Sequence, residues 1–229
     1  MTFTEELIQR TAREREYLLT APAIQRALAG NITRELYIAF LTQAYHHVRH
    51  TVPLLMAVGS RLPRRLAWLQ SQIIHYLEEE EGHEQWILND IEAAGGSRDV
   101  ALNAEPDLAT SAMVAFAYDT VARNEPAGFF GMVHVLEGTS VRLALRAADR
   151  LQSVLDLPTR AFTYLRSHGT LDQQHVEHLA GILERFDCDD DRQAVVRCAR
   201  TIYWLYGSMF RQLDSITTTS GVDSLRRIA

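Results

Sequence analysis

The sequence predicts an all-α protein, folded as a single bundle of about seven or eight helices. Apolar residues recur at helical spacing, as in Leu36, Phe40 and Ala44, and no segment shows the apolar-polar alternation of a half-buried strand. No internal repeat divides the chain. We expect one helical domain over residues 1–216 and a flexible C-terminal tail over residues 217–229, where Thr, Ser and Gly accumulate.

In the first half of the chain, glycine and proline mark the predicted helix ends. Thr33 is placed to cap a helix that Pro53 should bend or end. A long helix is predicted over residues 63–94, closed by Gly95-Gly96, because glycine commonly ends helices. The polar residues 97–106 are predicted to form a loop.

In the second half, one predicted helix is apolar around nearly its whole circumference, which is typical of a central, buried helix. It contains Glu137 and three glycines, Gly128, Gly131 and Gly138. Glycine is unfavourable inside a helix, so we expect close packing or a bend at these positions. The last helix is predicted over residues 192–216.

Composition excludes several classes of function. A net charge of −6 and a pI near 5.8 argue against binding to nucleic acid or to an anionic membrane. No apolar run approaches the roughly 20 residues of a membrane span, and the charged N-terminus does not resemble a signal peptide. Cys188 and Cys198 form no CxxC pair. We therefore expect a soluble, cytoplasmic protein.

The segment His168-Gly-Thr-Leu-Asp172-Gln-Gln-His175 carries the strongest signal for chemistry. In a helix, its two histidines and its aspartate lie at i, i+4 and i+7, on one face. Imidazole and carboxylate are ligands that suit iron, manganese or zinc in a helix bundle. The segment can serve one metal ion, or half of a two-metal site.

Two other helices offer ligands for the second half. Glu80 precedes His83 by three residues and Glu79 precedes it by four, so either can share a face with the imidazole. An acidic run such as residues 78–81 is more commonly a solvated face. Glu137 lies among apolar residues, where a buried carboxylate needs a partner. A metal and a structural Arg or Lys are about equally good partners.

His46 and His47 are less certain candidates, because Tyr45-His46-His47-Val-Arg-His50 places several imidazoles close together. The principal set contains three carboxylates and three imidazoles on three helices. Shared between two irons, it leaves coordination positions open for O2. The predicted metal ligands are Glu80, His83, Glu137, His168, Asp172 and His175.

This pattern resembles the haem-oxygenase-like di-iron oxidases, which are relatives of the TenA and PqqC families. The resemblance rests on His168-x3-Asp172-x2-His175, preceded by Glu137 and by Glu80-x2-His83. It implies a haem-oxygenase-like helical bundle, commonly a homodimer, with two labile iron ions held by these residues. Some relatives carry a carboxylate two turns before the histidine, where this chain has Tyr76.

The resemblance also implies a function: O2-dependent oxidation of a small organic substrate, such as an amine, an amino acid or a fatty-acid-like molecule. No catalytic residue beyond the metal site is predicted. Thiaminase chemistry needs a cysteine nucleophile in the pocket, which Cys188 and Cys198 are not placed to supply, and residues 1–30 lack a histidine for haem. The alternatives are a non-catalytic TenA-like binding or regulatory protein, and a mononuclear manganese or zinc protein.

Overall fold

Helices form most of the chain, and none of residues 1–226 lies in a β-strand. A computed structural model describes the backbone of residues 1–226 and the side chains of residues 1–167 and 175–213. The α-helices of this part are α1 (Phe3–Arg10), α2 (Ala12–Leu19), α3 (Pro22–Ala29), α4 (Arg34–Val48), α5 (Thr51–Ser60), α6 (Leu69–Glu80), α7 (His83–Ala93), α8 (Arg98–Asn103), α9 (Leu108–Arg123), α10 (Phe129–Leu155), α11 (Thr163–Glu184) and α12 (Asp189–Arg226). The predicted all-α fold is confirmed.

The described part contains more helices than predicted, because several predicted helices are split by breaks. The long helix expected over residues 63–94 is one of them. A 3-10 turn at Arg64–Leu66 precedes α6, and Gly82, with φ 85°, separates α6 from α7. This left-handed backbone is one that glycine adopts without steric cost. The predicted helix is therefore broken twice, and Glu80 and His83 lie on two separate helices, α6 and α7.

Two further predictions in this half of the chain were wrong. Pro53 does not end a helix. The break comes before it, after Val48, and Pro53 lies in the first turn of α5, where a missing backbone N–H leaves no helical bond unmade. Residues 97–106 are not all loop: they contain α8, whose start is capped by Ser97 accepting a hydrogen bond from the Val100 amide at 3.3 Å.

The central position predicted for the apolar helix is confirmed by its packing. Helix α10 contacts α3, α9, α11 and α12, and Phe130 and Val135 on it are fully buried. Helix α12 in turn packs against α2, α4 and α9. This arrangement places Glu137, in the N-terminal third of α10, inside the bundle rather than at its surface.

The start of α11 is held by a buried acid on α7. Asp90 is fully buried and accepts hydrogen bonds from the backbone amides of Thr163 and Tyr164, at 3.0 and 2.8 Å. These amides are at the N-terminus of α11, where no helical carbonyl is present to accept from them. Asp90 therefore fixes where the helix that carries the predicted motif begins.

The last helix is longer than predicted, because α12 runs from Asp189 to Arg226 rather than over residues 192–216. The division into a domain over 1–216 and a flexible tail stays a prediction. Among the described residues, no helix has the length and apolarity needed to cross a membrane.

Candidate metal centre

Glu137 lies at the centre of the candidate site, on the buried face of α10. It is only 7% exposed, and its Oε1 lies 4.0 Å from Nδ1 of His175 on α11. His175 is also buried. The predicted carboxylate and one imidazole of the predicted motif thus come together across the α10–α11 interface, away from bulk water.

Glu79 on α6 is the second carboxylate beside His175. Its Oε2 lies 3.2 Å from Nε2 of His175, while its Oε1 lies 3.4 Å from Nε2 of the half-exposed His75. The sequence favoured Glu80 over Glu79 as a ligand. The structure places Glu79, rather than Glu80, within ion-pairing distance of His175.

Glu80 and His83 remain neighbours although a helix break separates them. Oε2 of Glu80 lies 3.1 Å from Nδ1 of His83. His83 is buried and stacks on Trp86, with ring centroids 4.1 Å apart. The predicted Glu-x-x-His pair is therefore formed, by the last residue of α6 and the first of α7.

Tyr76 is a buried residue that lies near the carboxylates of Glu80 and Glu137. Burial raises the pKa of Tyr76 far above its ordinary value, and the nearby charges of Glu137 and Glu80 raise it further. Its hydroxyl group therefore stays protonated and can donate a hydrogen bond to an anionic oxygen. Tyr76 stands at the position where some relatives carry a carboxylate.

A cavity of about 70 Å³, which we call the site cavity, opens beside Glu80 and Glu137. Apolar side chains, including Leu54 and Phe129, form much of its wall. Its polar lining residues are His47, Thr51, Tyr76, Glu80, Glu137, Ser140, Tyr164 and Tyr206.

The side chains of the two adjacent histidines of α4 have different surroundings. His47 lines the site cavity, with its ring 5.7 Å from that of Tyr206. His46 does not line it; it packs against Tyr45, and burial followed by the charge of Arg49 lowers its pKa. Of the two less certain candidates on α4, only His47 lies beside the candidate metal centre.

The site cavity has polar residues that the sequence analysis did not predict. Ser140 follows Glu137 by three residues, so helical spacing could have identified it. Tyr164 and Tyr206 belong to α11 and α12 and carry no comparable signal in the sequence. The same three residues also line a neighbouring cavity of about 90 Å³, the apolar cavity, whose other walls are almost wholly hydrocarbon.

His168 and Asp172 complete the predicted set. Both positions belong to α11, together with His175, but their side chains lie outside the described residues. Among the side chains that are described, no group of three or more His, Cys, Asp or Glu is arranged to hold a metal ion. The donor types fit iron, but a complete coordination sphere needs positions 168 and 172.

Neither of the two cysteines, Cys188 and Cys198, lines the site cavity. Cys198 lines neither the site cavity nor the apolar cavity, and burial raises the pKa of its thiol to about 12. The thiolate form that a nucleophilic cysteine needs is therefore suppressed at neutral pH.

Comparisons with known proteins agree with this fold. A family model described as iron-containing redox enzyme matches residues 38–207. Among solved structures, the chain is similar to a domain of unknown function with a heme oxygenase-like fold from Shewanella denitrificans. The two share 24% identity over 95% of this chain and 94% of that chain, with a TM-score of 0.84.

Two further structures extend the comparison. A TenA homologue from P. horikoshii is 13% identical over 93% of this chain and 98% of that chain, with a TM-score of 0.76. Heme oxygenase-1 from the cyanobacterium Synechocystis is 13% identical over 100% of both chains, with a TM-score of 0.71. A search of the curated proteins found no significant match. The structural similarities confirm the haem-oxygenase-like fold.

Proposed function

This chain belongs to the family of iron-containing redox enzymes, and we propose that it is a non-haem di-iron oxidase or oxygenase that uses O2 to oxidise a small organic substrate. One observation carries the proposal: Glu79 and Glu137, from two different helices, both approach the buried His175. Burying a carboxylate such as Glu137 beside a second one is unfavourable unless cations or protons compensate the charge.

The donors for two irons would be the six predicted residues, with Glu79 and His47 close enough to join them. Iron bound there would supply the activation of O2 that no amino-acid side chain can supply. The set is Glu80, His83, Glu137, His168, Asp172 and His175, of which the structure describes four side chains.

The chain's own residues give the substrate a defined environment. The apolar wall of the site cavity excludes water from the carboxylates. Ser140, Tyr164 and Tyr206 line both the site cavity and the apolar cavity. They are placed to orient a polar group of the substrate, while its apolar portion occupies the neighbouring space. This favours a substrate that has both a polar group and a hydrocarbon portion.

Iron binding by matched variants tests the proposal. The protein is loaded anaerobically with Fe(II), desalted and analysed for metal, and then exposed to O2 while visible absorption is followed. We expect about two irons per chain and a transient absorption in the wild type. Glu137→Gln and His175→Gln should lose most of the iron, since each removes a buried donor.

Glu78→Gln is the control, because Glu78 belongs to the same acidic run but is exposed to solvent. It should bind iron like the wild type. The proposal fails if the wild type retains no iron, or if the Glu137 and His175 variants retain as much iron as the Glu78 variant. One tightly bound zinc or manganese ion would instead support a mononuclear metal protein.

A non-catalytic TenA-like binding protein is the second candidate. It is favoured by the similarity of the fold to that of a TenA homologue. A wild type that binds no metal, yet binds an organic ligand in the apolar cavity, would support it.

A further inference from the structure

A second polar cavity lies on another face of α10 and has no lining residue in common with the site cavity. It has a volume of about 250 Å³, and α1, α2, α10, α11 and α12 all contribute to its wall. We call it the basic cavity, after the positive side chains Arg15 and Arg142 that line it. Neither the predicted metal centre nor the proposed oxidation makes use of this cavity.

The charges at the basic cavity are unbalanced. Arg15 on α2 and Arg142 on α10 both line it, and its described lining includes no acidic residue. Neither guanidinium forms an ion pair with a described carboxylate. Arg15 donates only a long hydrogen bond, 3.3 Å, to the carbonyl of Ile8, and lies near enough to the Tyr203 hydroxyl to interact with it. Two cations without an anion favour binding of a negative group.

His134 provides an independent indication of a ligand. Its Nε2 is buried and has no hydrogen-bond partner among the described residues, although it lines the basic cavity. Its ring packs edge-on to Tyr203, with centroids 6.3 Å apart. A buried nitrogen without a partner is costly, and because Nε2 is not itself open to the cavity, a ligand oxygen would satisfy it after a rotation of the His134 ring.

Apart from Thr4 and Tyr203, the rest of the wall is apolar. Val141, Leu179 and Leu183 face the cavity from α10 and α11, and a Cβ added at Gly138 would meet no atom within 4 Å. The cavity therefore combines a positively charged, hydrogen-bonding part with hydrocarbon walls. A simple inorganic ion would leave these apolar walls uncovered.

We propose that the basic cavity binds a small organic anion, whose carboxylate or phosphate contacts Arg15, Arg142 and His134. Its hydrocarbon portion packs against Leu179 and Leu183. The guanidinium groups provide charge-assisted hydrogen bonds, which planar oxyanions accept in pairs. Binding requires no iron, so its failure would leave the proposed oxidation untouched, and the reverse is also true.

Ligand-observed NMR titration at pH 7 and constant ionic strength tests this proposal. The probes are butyrate, butyl phosphate and butan-1-ol, which share a hydrocarbon chain and differ in the polar group. We expect saturable binding of butyrate, butyl phosphate or both, and at least about tenfold weaker binding of butan-1-ol, which lacks the charge. The comparison of the two anions identifies the oxyanion preferred.

Variants locate the binding site. Arg15→Gln and Arg142→Gln should each weaken anion binding about tenfold or more, whereas Arg13→Gln should leave it within about twofold. Arg13 is an exposed arginine of the same helix as Arg15, and it does not line the cavity. Arg142 is also exposed, so its replacement is compatible with folding, which circular dichroism verifies.

Three results would overturn the proposal: no saturable binding of either anion, equal binding of butan-1-ol, or equal loss of affinity in the Arg13 variant and the two cavity variants.

Discussion

Gly131 lies where α10 crosses α12, and its replacement by alanine tests how closely these two helices pack. A Cβ atom built on Gly131 would lie 2.2 Å from the carbonyl oxygen of Val195 and 2.7 Å from the amide nitrogen of Ala199. Real Cβ atoms essentially never approach other heavy atoms closer than 3.0 Å. Both contacts are to backbone atoms, so a change of side-chain rotamer cannot relieve them.

The Gly131→Ala variant can fold only if α10 and α12 move apart. Overpacking of a core costs about 1–3 kcal/mol, and we expect the upper end because the obstructing atoms are in a helix backbone. A loss of about 3 kcal/mol corresponds to a decrease in Tm of roughly 6–12 °C for a domain of this size. Urea and thermal unfolding followed by circular dichroism measure both quantities.

Gly138→Ala is the matched control on the same helix. A Cβ there would have no neighbour within 4 Å, so alanine should stabilise α10 by about 0.5–1 kcal/mol through its higher helix propensity. The packing described for α10 and α12 is refuted if Gly131→Ala is as stable as the wild type. It is also refuted if the two variants lose equal stability.

Two further predictions concern buried polar groups. Burial, followed by the charges of two arginines, lowers the pKa of His134 from 6.5 to about 4. The unfolded chain therefore binds more protons between these values, so the protein loses stability as the pH decreases from 7 to 5. The His134 contribution over this range is about 2 kcal/mol. His134→Gln should remove this part of the pH dependence in urea unfolding, and an unchanged pH dependence would contradict the prediction. Asp90→Ala should cost about 2 kcal/mol, because the amides of Thr163 and Tyr164 lose their acceptor. Asp90→Asn, which keeps an acceptor oxygen, should lose less; equal losses would argue against the capping role.

Much of the fold could be predicted from the sequence because helix periodicity and helix ends are local properties. The apolar spacing predicted an all-α chain. Thr33 caps α4 as expected, accepting from the Leu36 amide at 3.2 Å, and Gly95 has the left-handed backbone that its position after α7 suggested. The burial of Glu137 was also predictable, since most of the residues before it on the helix are apolar.

Breaks within helices were less predictable, because they depend on competition between propensity and packing. The break before α7 has a glycine, Gly82, in the left-handed region. Nevertheless, the acidic residues before it and the apolar residues after it fit one continuous helical pattern. The position of Pro53 was ambiguous for a different reason, because proline can follow the end of one helix or lie in the first turn of the next. In the structure it lies in the first turn of α5.

The candidate metal centre shows the same division between sequence and structure. Residue type and spacing identified Glu137, the Glu80–His83 pair and the His175 motif. Only tertiary packing decided that Glu79 contacts His175 and that His47, rather than His46, faces the site cavity. Neighbouring residues on a helix point in directions about 100° apart, so the choice between them depends on where the adjacent helices lie.

The basic cavity is determined by tertiary structure alone. Arg15, His134 and Tyr203 belong to three helices that are distant in the sequence, and none of them forms part of a motif. The sequence determined the helical class of the fold and the chemical types of the proposed metal donors, since both follow from local pattern. The packing of α10 against its neighbours determined which side chains share a cavity, because that depends on contacts between residues far apart in the chain.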